Sequence, residues 1–492
     1  MSFKLTLPLV LLCCFACGAE DGSADGTGSG GGAVTGQAGN SGVIAGAGSS
    51  SGGSGSSAAG SGNVATAGSA GQAPTGGGSP ATGGTGSSMA GASMGGTSFV
   101  PGGGSGGMPA VPPLDCGKDG WAVENHGDPK NRVNYLILGD GYTATTVETT
   151  LKTHIENALK RRFEHESGEP YGRYRNFVNI CVMKAVSQND GIGNGPTAFD
   201  GGNGGDRLAA VNESKVNAYI KANVPATFEV DWKAVVLNQN KWENTGSYLM
   251  LWSGGNADAP GAALHEGGHG FHQLADEYGS QTGCQNQKAS CGSSGTVYSE
   301  PNSAGNCTTT DGKWDLWLGT TQKGLKVPDM GATGMQGTWQ GSRYVGDGQY
   351  RPSCNSMMNS LFGNNVDTSF NSVSREQIIF SIWRAVTPID STEPPAGAVN
   401  NPATLKVNVI DPAVINVDWT IDGQTTVNGG PSFSTAALAA GTHMISAKAY
   451  DNASTDLVKL RTGVCPASEK GDYCKATAWP RSTQTVTWTV TK

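Results

Sequence analysis

Basic stripes and membrane-spanning apolar runs are both missing from this 492-residue chain. Its 32 basic residues are outnumbered by 40 acidic ones, and the formal net charge is −8. A nucleic-acid partner needs a concentrated basic surface, so we expect none here. The apolar run over residues 5–16 is too short to span a membrane as a mature helix. We therefore expect membrane contact only through a lipid anchor.

The cysteine spacing argues against a cysteine-ligated zinc site. Eight of the eleven cysteines lie beyond the N-terminal region, and none of these eight forms a CxxC pair. An even number of cysteines in an exported protein favours disulfides instead. Two pairs would close short polar loops, so we predict that Cys284 bonds Cys291 and that Cys465 bonds Cys474.

The N-terminal region predicts export. Residues 1–17 have the features of a signal peptide, with Lys4 ahead of the apolar run. Cys17 follows a small residue and resembles the lipid-attachment cysteine of bacterial lipoproteins; cleavage and free secretion is the alternative. Residues 18–112 consist mainly of small residues and cannot bury enough apolar surface to fold, which predicts a flexible tether. The expected location is the bacterial cell surface or the medium.

The rest of the chain predicts two folded domains. Over residues 113–392, apolar runs alternate with segments of helical spacing, which favours an α+β (α/β-like) domain. After a proline-rich linker, residues 396–492 alternate in short strands and predict a β-sandwich. The expected strands are 133–138, 177–186, 232–237, 248–252, 405–409, 415–419, 444–450 and 485–490; the expected helices are 145–162, 208–222, 374–383 and one over His265.

Three of only seven histidines lie within residues 265–272, HEGGHGFH. On a helix, His265 and His269 lie one turn apart on the same face and can bind one Zn²⁺. Glu266, between them, can accept a proton from an attacking water. Gly267 and Gly268 each cost a helix about 1 kcal/mol relative to alanine. Their presence therefore predicts that another chain segment packs closely against this helix.

The third metal ligand is predicted from an irregular spacing. In the pattern HExxHxxGxxH/D a glycine turns the chain, and the third ligand falls ten residues after the first histidine. Here those two positions hold His272 and Ala275. We therefore predict a turn over residues 271–274 with Asp276 as the third ligand; Glu277 and then His272 are the alternatives.

Three further roles are assigned by residue type or chain order. Tyr278 and Tyr350 are candidates for stabilising the oxyanion of a peptidase reaction. The strand over residues 248–252 could pair with an extended peptide. The loop over residues 188–206 could ligate a cation, but the EF-hand spacing is missing and a solvated loop is favoured. The acidic side chains of that loop are Asp190, Asp200 and Asp206.

Several of these segments resemble one peptidase family. The sequences HEGGHGF over 265–271 and LADEY over 274–278 are similar to the active-site segment of the M64 family, the IgA-peptidase-like zinc metallopeptidases. LGDGYT over 138–143 resembles that family's N-terminal signature, and CNSMM over 354–358 resembles its methionine turn. The resemblance covers roughly residues 131–385.

The resemblance implies roles for particular residues. His265 and His269 would be zinc ligands, Glu266 the general base, and Met357 or Met358 the apolar floor under the metal. It also implies a zincin/metzincin-like catalytic fold ahead of the β-sandwich that the strand pattern predicts.

The predicted function is that of an exported, surface-tethered zinc metalloendopeptidase that hydrolyses protein substrates with a metal-activated water. One alternative is a non-catalytic surface adhesin or binding module with a structural zinc site. Glu266 argues against it, because structural sites usually have four protein ligands and need no base. A further alternative is a zinc amidase acting on cell-wall peptide.

Overall fold

The structure is a computed structural model that describes residues 111–205, 207–279, 294–322, 334–360, 362–363, 366–426, 429–459 and 479–492. The described residues lie in one compact unit. None of the helices in these ranges combines the length and apolar character that crossing a membrane requires. The predicted signal peptide, nearly all of the tether, and both predicted cysteine pairs lie outside the described residues.

A five-stranded sheet forms the centre of the first part. The strands in chain order are β1 (Gly120–Glu124), β2 (Val133–Asp140), β3 (Val178–Met183), β4 (Gly202–Gly205), β5 (Leu208–Ala210), β6 (Trp232–Leu237) and β7 (Leu249–Ser253). The sheet has the order β1-β3-β2-β6-β7, in which β1 is antiparallel to its neighbour and the others are parallel. Strands β4 and β5 form a separate hairpin. A Cys116–Cys181 disulfide links the segment before β1 to β3.

Helices cover both faces of this sheet. They are α1 (Thr150–Glu164), α2 (Glu213–Asn223), α3 (Ala259–Gly270) and α4 (Ser372–Ala385). Side chains of β2 alternate between faces: Tyr135 and Ile137 share a core with α1 and α3, whereas Leu136 and Leu138 share a second core with Val216 of α2. This layering buries α3, the helix that carries HEGGH, against the sheet.

Two predicted helix boundaries were wrong for local reasons. Helix α1 begins at Thr150, because the hydroxyls of Thr143 and Thr146 hydrogen-bond each other and hold a turn before it. Residues 208–210 are strand β5 instead of helix, since the Asn212 side chain accepts from the backbone N–H of Lys215 and caps α2 there.

The second part of the chain, after α3, contains two larger sheets and two two-stranded hairpins among its described residues. Its strands continue as β8 (Trp339–Ser342), β9 (Val345–Arg351), β10 (Phe362–Gly363), β11 (Val366–Asp367), β12 (Ile389–Glu393), β13 (Gly397–Asn400), β14 (Thr404–Val409), β15 (Ile415–Ile421), β16 (Gln424–Thr426), β17 (Ser432–Ser434), β18 (Thr442–Asp451) and β19 (Thr483–Thr491). The two larger sheets have the orders β12-β14-β17 and β13-β19-β18-β15-β16, whereas β8-β9 and β10-β11 are the hairpins. The four strands predicted between residues 405 and 490 are confirmed.

Asp451, at the end of β18, joins the C-terminal sheets to the first part. Its Oδ2 accepts hydrogen bonds from the Tyr174 hydroxyl at 2.6 Å and from Trp383 Nε1 at 2.9 Å. Its Oδ1 pairs with Arg173 at 2.9 Å. The apolar residues on both sides of this contact form one continuous core.

Candidate metal centre

At two positions, helix α3 packs so closely against its neighbours that only glycine fits. A Cβ on Gly267 would lie 2.9 Å from Trp232 Cζ2, and one on Gly268 would lie 2.6 Å from Met358 Sδ. The close packing predicted from these two glycines is confirmed. It fixes α3 between β6 on one side and residues 354–358, the methionine segment, on the other, so the side chains of the helix are held in place.

The chain turns directly after α3, as predicted, but with an unusual residue. The helix ends at Gly270, and Gln273 has a φ of 57°, in the left-handed region that favours glycine. The N–H of Leu274 then bonds the carbonyl of Gly268 at 2.9 Å. This turn comes one residue later than the glycine of the HExxHxxGxxH/D pattern. The extra residue explains why Asp276, and not Ala275, reaches the histidines.

The turn brings three side chains together. His265 Nε2 lies 3.1 Å from Asp276 Oδ1, and His269 Nε2 lies 3.2 Å from the same oxygen. The two Nε2 atoms are 3.2 Å apart. His265 is 2 % exposed and Asp276 is 7 % exposed. The result is a nearly equilateral triangle of potential ligand atoms in a largely buried site.

The Nδ1 atom of each imidazole makes a hydrogen bond that determines the tautomer of the ring. His265 Nδ1 donates to the Met357 carbonyl at 2.8 Å, and His269 Nδ1 donates to the Leu274 carbonyl at 2.8 Å. A carbonyl can only accept, so in the neutral rings the Nδ1 atoms carry the hydrogens and the Nε2 atoms present lone pairs. Two lone pairs and a carboxylate oxygen therefore point at one position. This arrangement favours a cation at that position.

The triangle fits a tetrahedral zinc ion. Ligand atoms at ordinary Zn–N and Zn–O distances in a tetrahedron are about 3.3 Å apart, close to the 3.1–3.2 Å found between these atoms. Burial alone would lower the pKa of His269, yet the Asp276 carboxylate outweighs it and raises this pKa to about 9. The same carboxylate that favours a proton on His269 would favour a divalent cation in its place.

Glu266 lies beside the triangle with its carboxylate buried. It is 2 % exposed, and one of its oxygens lies within 4.8 Å of one ring nitrogen of His265 and of one ring nitrogen of His269. A Cβ on Gly246 would lie 2.6 Å from Glu266 Oε2 and would also meet the His269 ring. The segment before β7 thus approaches the site at a glycine, which leaves room for both side chains.

Glu277, the first alternative for the third ligand, faces away from the histidines. Its oxygens accept hydrogen bonds from Asn302 and Asn371 at 2.8–2.9 Å and from the Ser356 hydroxyl at 2.7 Å. Burial raises the pKa of Glu277, although these donors oppose the rise. Its backbone N–H also bonds the Met358 carbonyl at 2.7 Å. Glu277 therefore holds the ligand segment to the methionine segment and to the start of α4.

His272, the second alternative, is buried among aromatic side chains. Its ring lies against those of Tyr171, Trp232 and Phe271, with centroids 5.1–5.4 Å away. Neither of its nitrogens has a hydrogen-bond partner among the described residues. Burial, together with the charge of Arg162, holds the pKa of His272 well below its usual range, so the ring is neutral. The structure does not bring His272 to the other two histidines.

The tyrosine that hydrogen-bonds to this triangle is one that the sequence did not single out. The Tyr344 hydroxyl donates a hydrogen bond to Asp276 Oδ2. Of the two tyrosines considered from the sequence, Tyr350 is fully buried, and Tyr278 is half-buried with its ring 5.2 Å from that of Tyr344. Tyr344 lies in a turn far along the chain, and no spacing rule connects it to HEGGH.

Strand β7 is at the edge of its sheet, but that edge is already occupied. Thr245 and Leu251 exchange backbone hydrogen bonds at 2.8 and 3.0 Å. The Ser247 hydroxyl bonds both the N–H and the carbonyl of Leu249. The expectation that β7 pairs directly with a peptide was therefore wrong, because residues 244–247 fold back over it.

The described part of the loop over residues 188–206 is held in place by Asp140, a carboxylate that lies outside the loop. Asp140 is fully buried, and its oxygens accept from the N–H groups of Gly141, Phe199 and Gly201 and from the Thr197 hydroxyl at 2.7–3.1 Å. Asp140 thereby anchors the loop to the end of β2.

The described acidic residues predicted as candidate cation ligands in this loop do not share one site. Asp190 accepts from Thr146 and Asn238, whereas the exposed Asp200 pairs with Lys215. Asp206 lies outside the described residues. The described part of the loop therefore brings no two of the three carboxylates into one site.

Comparison with known proteins supports a peptidase. Residues 122–330 match the family model described as IgA Peptidase M64, a metallopeptidase family. The match confirms the resemblance inferred from the motifs over this region, which includes HEGGH and Asp276. It ends before the methionine segment, so the role assigned to that segment by resemblance stays a prediction. Comparison with curated proteins gave no match.

Proposed function

We propose, from the M64 match and the geometry around α3, that this protein is an exported, surface-tethered zinc metalloendopeptidase. In this proposal, residues 1–17 are a signal peptide with lipid attachment at Cys17, and residues 18–112 are a tether. Residues 113–392 form the zincin/metzincin-like catalytic domain, and residues 396–492 form a β-sandwich that stabilises it. The substrate is a protein or peptide.

One observation carries the proposal. The Nε2 atoms of His265 and His269 and one oxygen of Asp276 lie 3.1–3.2 Å from one another, with both imidazole Nδ1 atoms committed to backbone carbonyls. Three protein ligands leave one tetrahedral position for water or substrate, which is the arrangement of a catalytic zinc site and not of a structural one.

The residues divide the chemistry among them. His265, His269 and Asp276 would hold Zn²⁺, which supplies an acidified water and polarises the scissile carbonyl. Glu266 accepts the proton of the attacking water and delivers it to the leaving amine. Its burial beside the ligands keeps it within reach of that water and limits competing solvent. Met357 orients His265 through its carbonyl, and Leu274 does the same for His269.

Two alternative functions can be distinguished from a zinc metalloendopeptidase. A non-catalytic binding module with a structural zinc would need no base, and the buried Glu266 beside the ligands speaks against it. A zinc amidase acting on cell-wall peptide would share the metal chemistry but not the protein substrates.

The test is degradation of casein by the purified protein, followed by chelator treatment and zinc addition. We expect hydrolysis that the chelator abolishes and zinc restores. A chelator-insensitive activity would contradict the proposal. Failure to cleave any protein, combined with hydrolysis of purified cell-wall peptide, would favour the amidase.

A further inference from the structure

Tyr344 is held in a turn whose backbone conformation is costly. The turn joins β8 to β9, and Arg343 and Tyr344 have φ values of 51° and 68°. Two-residue hairpin turns with both φ values positive favour asparagine and glycine. Two large side chains in this conformation cost of order 1 kcal/mol or more each. A cost of this kind at a candidate site indicates that the side chains have a function there.

The turn is fixed to the segment that carries Asp276. Arg343 N–H donates to the Asp276 carbonyl at 3.0 Å, and Tyr344 N–H donates to the Tyr278 carbonyl at 2.9 Å. The Arg343 side chain pairs with Glu300 and lies 3.9 Å from the centre of the Tyr298 ring. These contacts hold the backbone of the turn while leaving the Tyr344 side chain 40 % exposed.

The hydroxyl of Tyr344 is thus fixed to the edge of the candidate metal centre on an accessible ring. It bonds Asp276 Oδ2, whereas Asp276 Oδ1 is the oxygen that faces the two histidines. The turn is held by its backbone hydrogen bonds and by the Arg343 side chain, and none of these contacts involves the Tyr344 hydroxyl. No comparable phenol is offered by Tyr350, which is fully buried.

We propose that Tyr344 is a catalytic residue whose hydroxyl leaves Asp276 when a peptide binds and donates a hydrogen bond to the oxyanion forming on the scissile carbonyl. This inference rests on the proposed peptidase function. A hydrogen bond that forms fully only in the transition state raises kcat with little effect on KM. A tyrosine that only orients Asp276 would act on metal affinity instead.

The experiment compares Tyr344→Phe with Tyr248→Phe in the full-length, zinc-loaded protein. Tyr248 is a matched control, because its ring is also exposed and its hydroxyl also donates to a carboxylate, that of Glu213. The measurements are kcat and KM on a fluorogenic peptide, the inhibition constant of a phosphinic peptide that mimics the tetrahedral intermediate, and zinc content by mass spectrometry.

For Tyr344→Phe we expect kcat to fall roughly 100- to 1,000-fold, as when one oxyanion donor is removed. KM should change only a few-fold, the phosphinic peptide should bind much more weakly, and zinc should stay at one ion per chain. Tyr248→Phe should behave like the parent protein.

Three results would overturn the inference. An unchanged kcat would exclude the proposed contact. Loss of zinc, with activity restored by excess zinc, would make Tyr344 a positioning residue only. An inactive parent protein would reject the peptidase function itself, and it would do so before any variant is compared.

Discussion

Asp276 and Glu277 are neighbours in the chain, but their carboxylates have separate partners. Asp276 Oδ1 lies 3.1–3.2 Å from the Nε2 atoms of two histidines. Glu277 accepts from Asn302, Asn371 and Ser356 on the opposite side of the segment. One acid therefore belongs to the candidate metal centre, and the other holds that centre in place.

Conservative amide substitutions should separate these two roles. Asp276→Asn should reduce zinc affinity by more than the roughly 10- to 100-fold typical of losing an outer partner. Glu277→Gln should keep zinc but lower the free energy of unfolding by about 1–3 kcal/mol, because its amide group would face donors. Zinc titration and urea unfolding of both variants provide the check. The reverse pattern would make Glu277 the ligand.

Gly246→Ala should damage catalysis without unfolding the protein. The added methyl would lie 2.6 Å from Glu266 Oε2 and would press on the His269 ring. Displacing a base by about 1 Å can cost on the order of 100-fold in rate. The control is Gly202→Ala, whose Cβ would meet nothing within 4 Å. Equal activity of the two variants would show that residue 246 does not constrain the site.

Asp140→Asn should destabilise the loop after β3. The buried carboxylate accepts several N–H and hydroxyl groups, and an amide nitrogen would face some of these donors. We expect a loss of about 3 kcal/mol in the free energy of unfolding. Asp200→Asn, at an exposed site in the same loop, should leave the unfolding midpoint nearly unchanged. Equal midpoints would argue against Asp140 as the anchor.

Asp451→Asn should weaken the attachment of the C-terminal sheets. It would disturb the acceptor shared by Tyr174 and Trp383 and the ion pair with Arg173. We expect unfolding to remain one cooperative transition, with a loss of about 3 kcal/mol. Asp422→Asn is the exposed control. Two separate transitions in the parent protein would show that residues 396–492 fold independently of the remainder.

The sequence predicted most of the candidate site because most of it is local. His265, Glu266 and His269 lie on one helix, and the turn that delivers Asp276 follows directly, so helical spacing and a short loop suffice. The two helical glycines also predicted the tight packing correctly. Tyr344 could not be found this way, because only the docking of the β8–β9 turn brings it to Asp276.

In the fold, too, local sequence patterns predicted the buried strands, whereas contacts between residues distant in the chain were missed. The buried strands β2 and β6 are apolar runs, and their positions were predicted almost to the residue. The pairing of Thr245 with Leu251 was missed, since a polar segment folding back on an edge strand has no periodic signal. The role of Asp140 was missed for a related reason: its partners come from a loop some 60 residues away along the chain.

Glu266→Gln gives the most direct measurement of the central claim. The substitution keeps the shape of the side chain and leaves all three proposed ligands in place, but it removes the base. Casein hydrolysis and zinc content should be measured on the same preparations of the parent and the variant. We predict one zinc ion per chain in both proteins and no measurable hydrolysis by the variant. A Glu266→Gln protein that binds zinc and retains full activity would contradict the account.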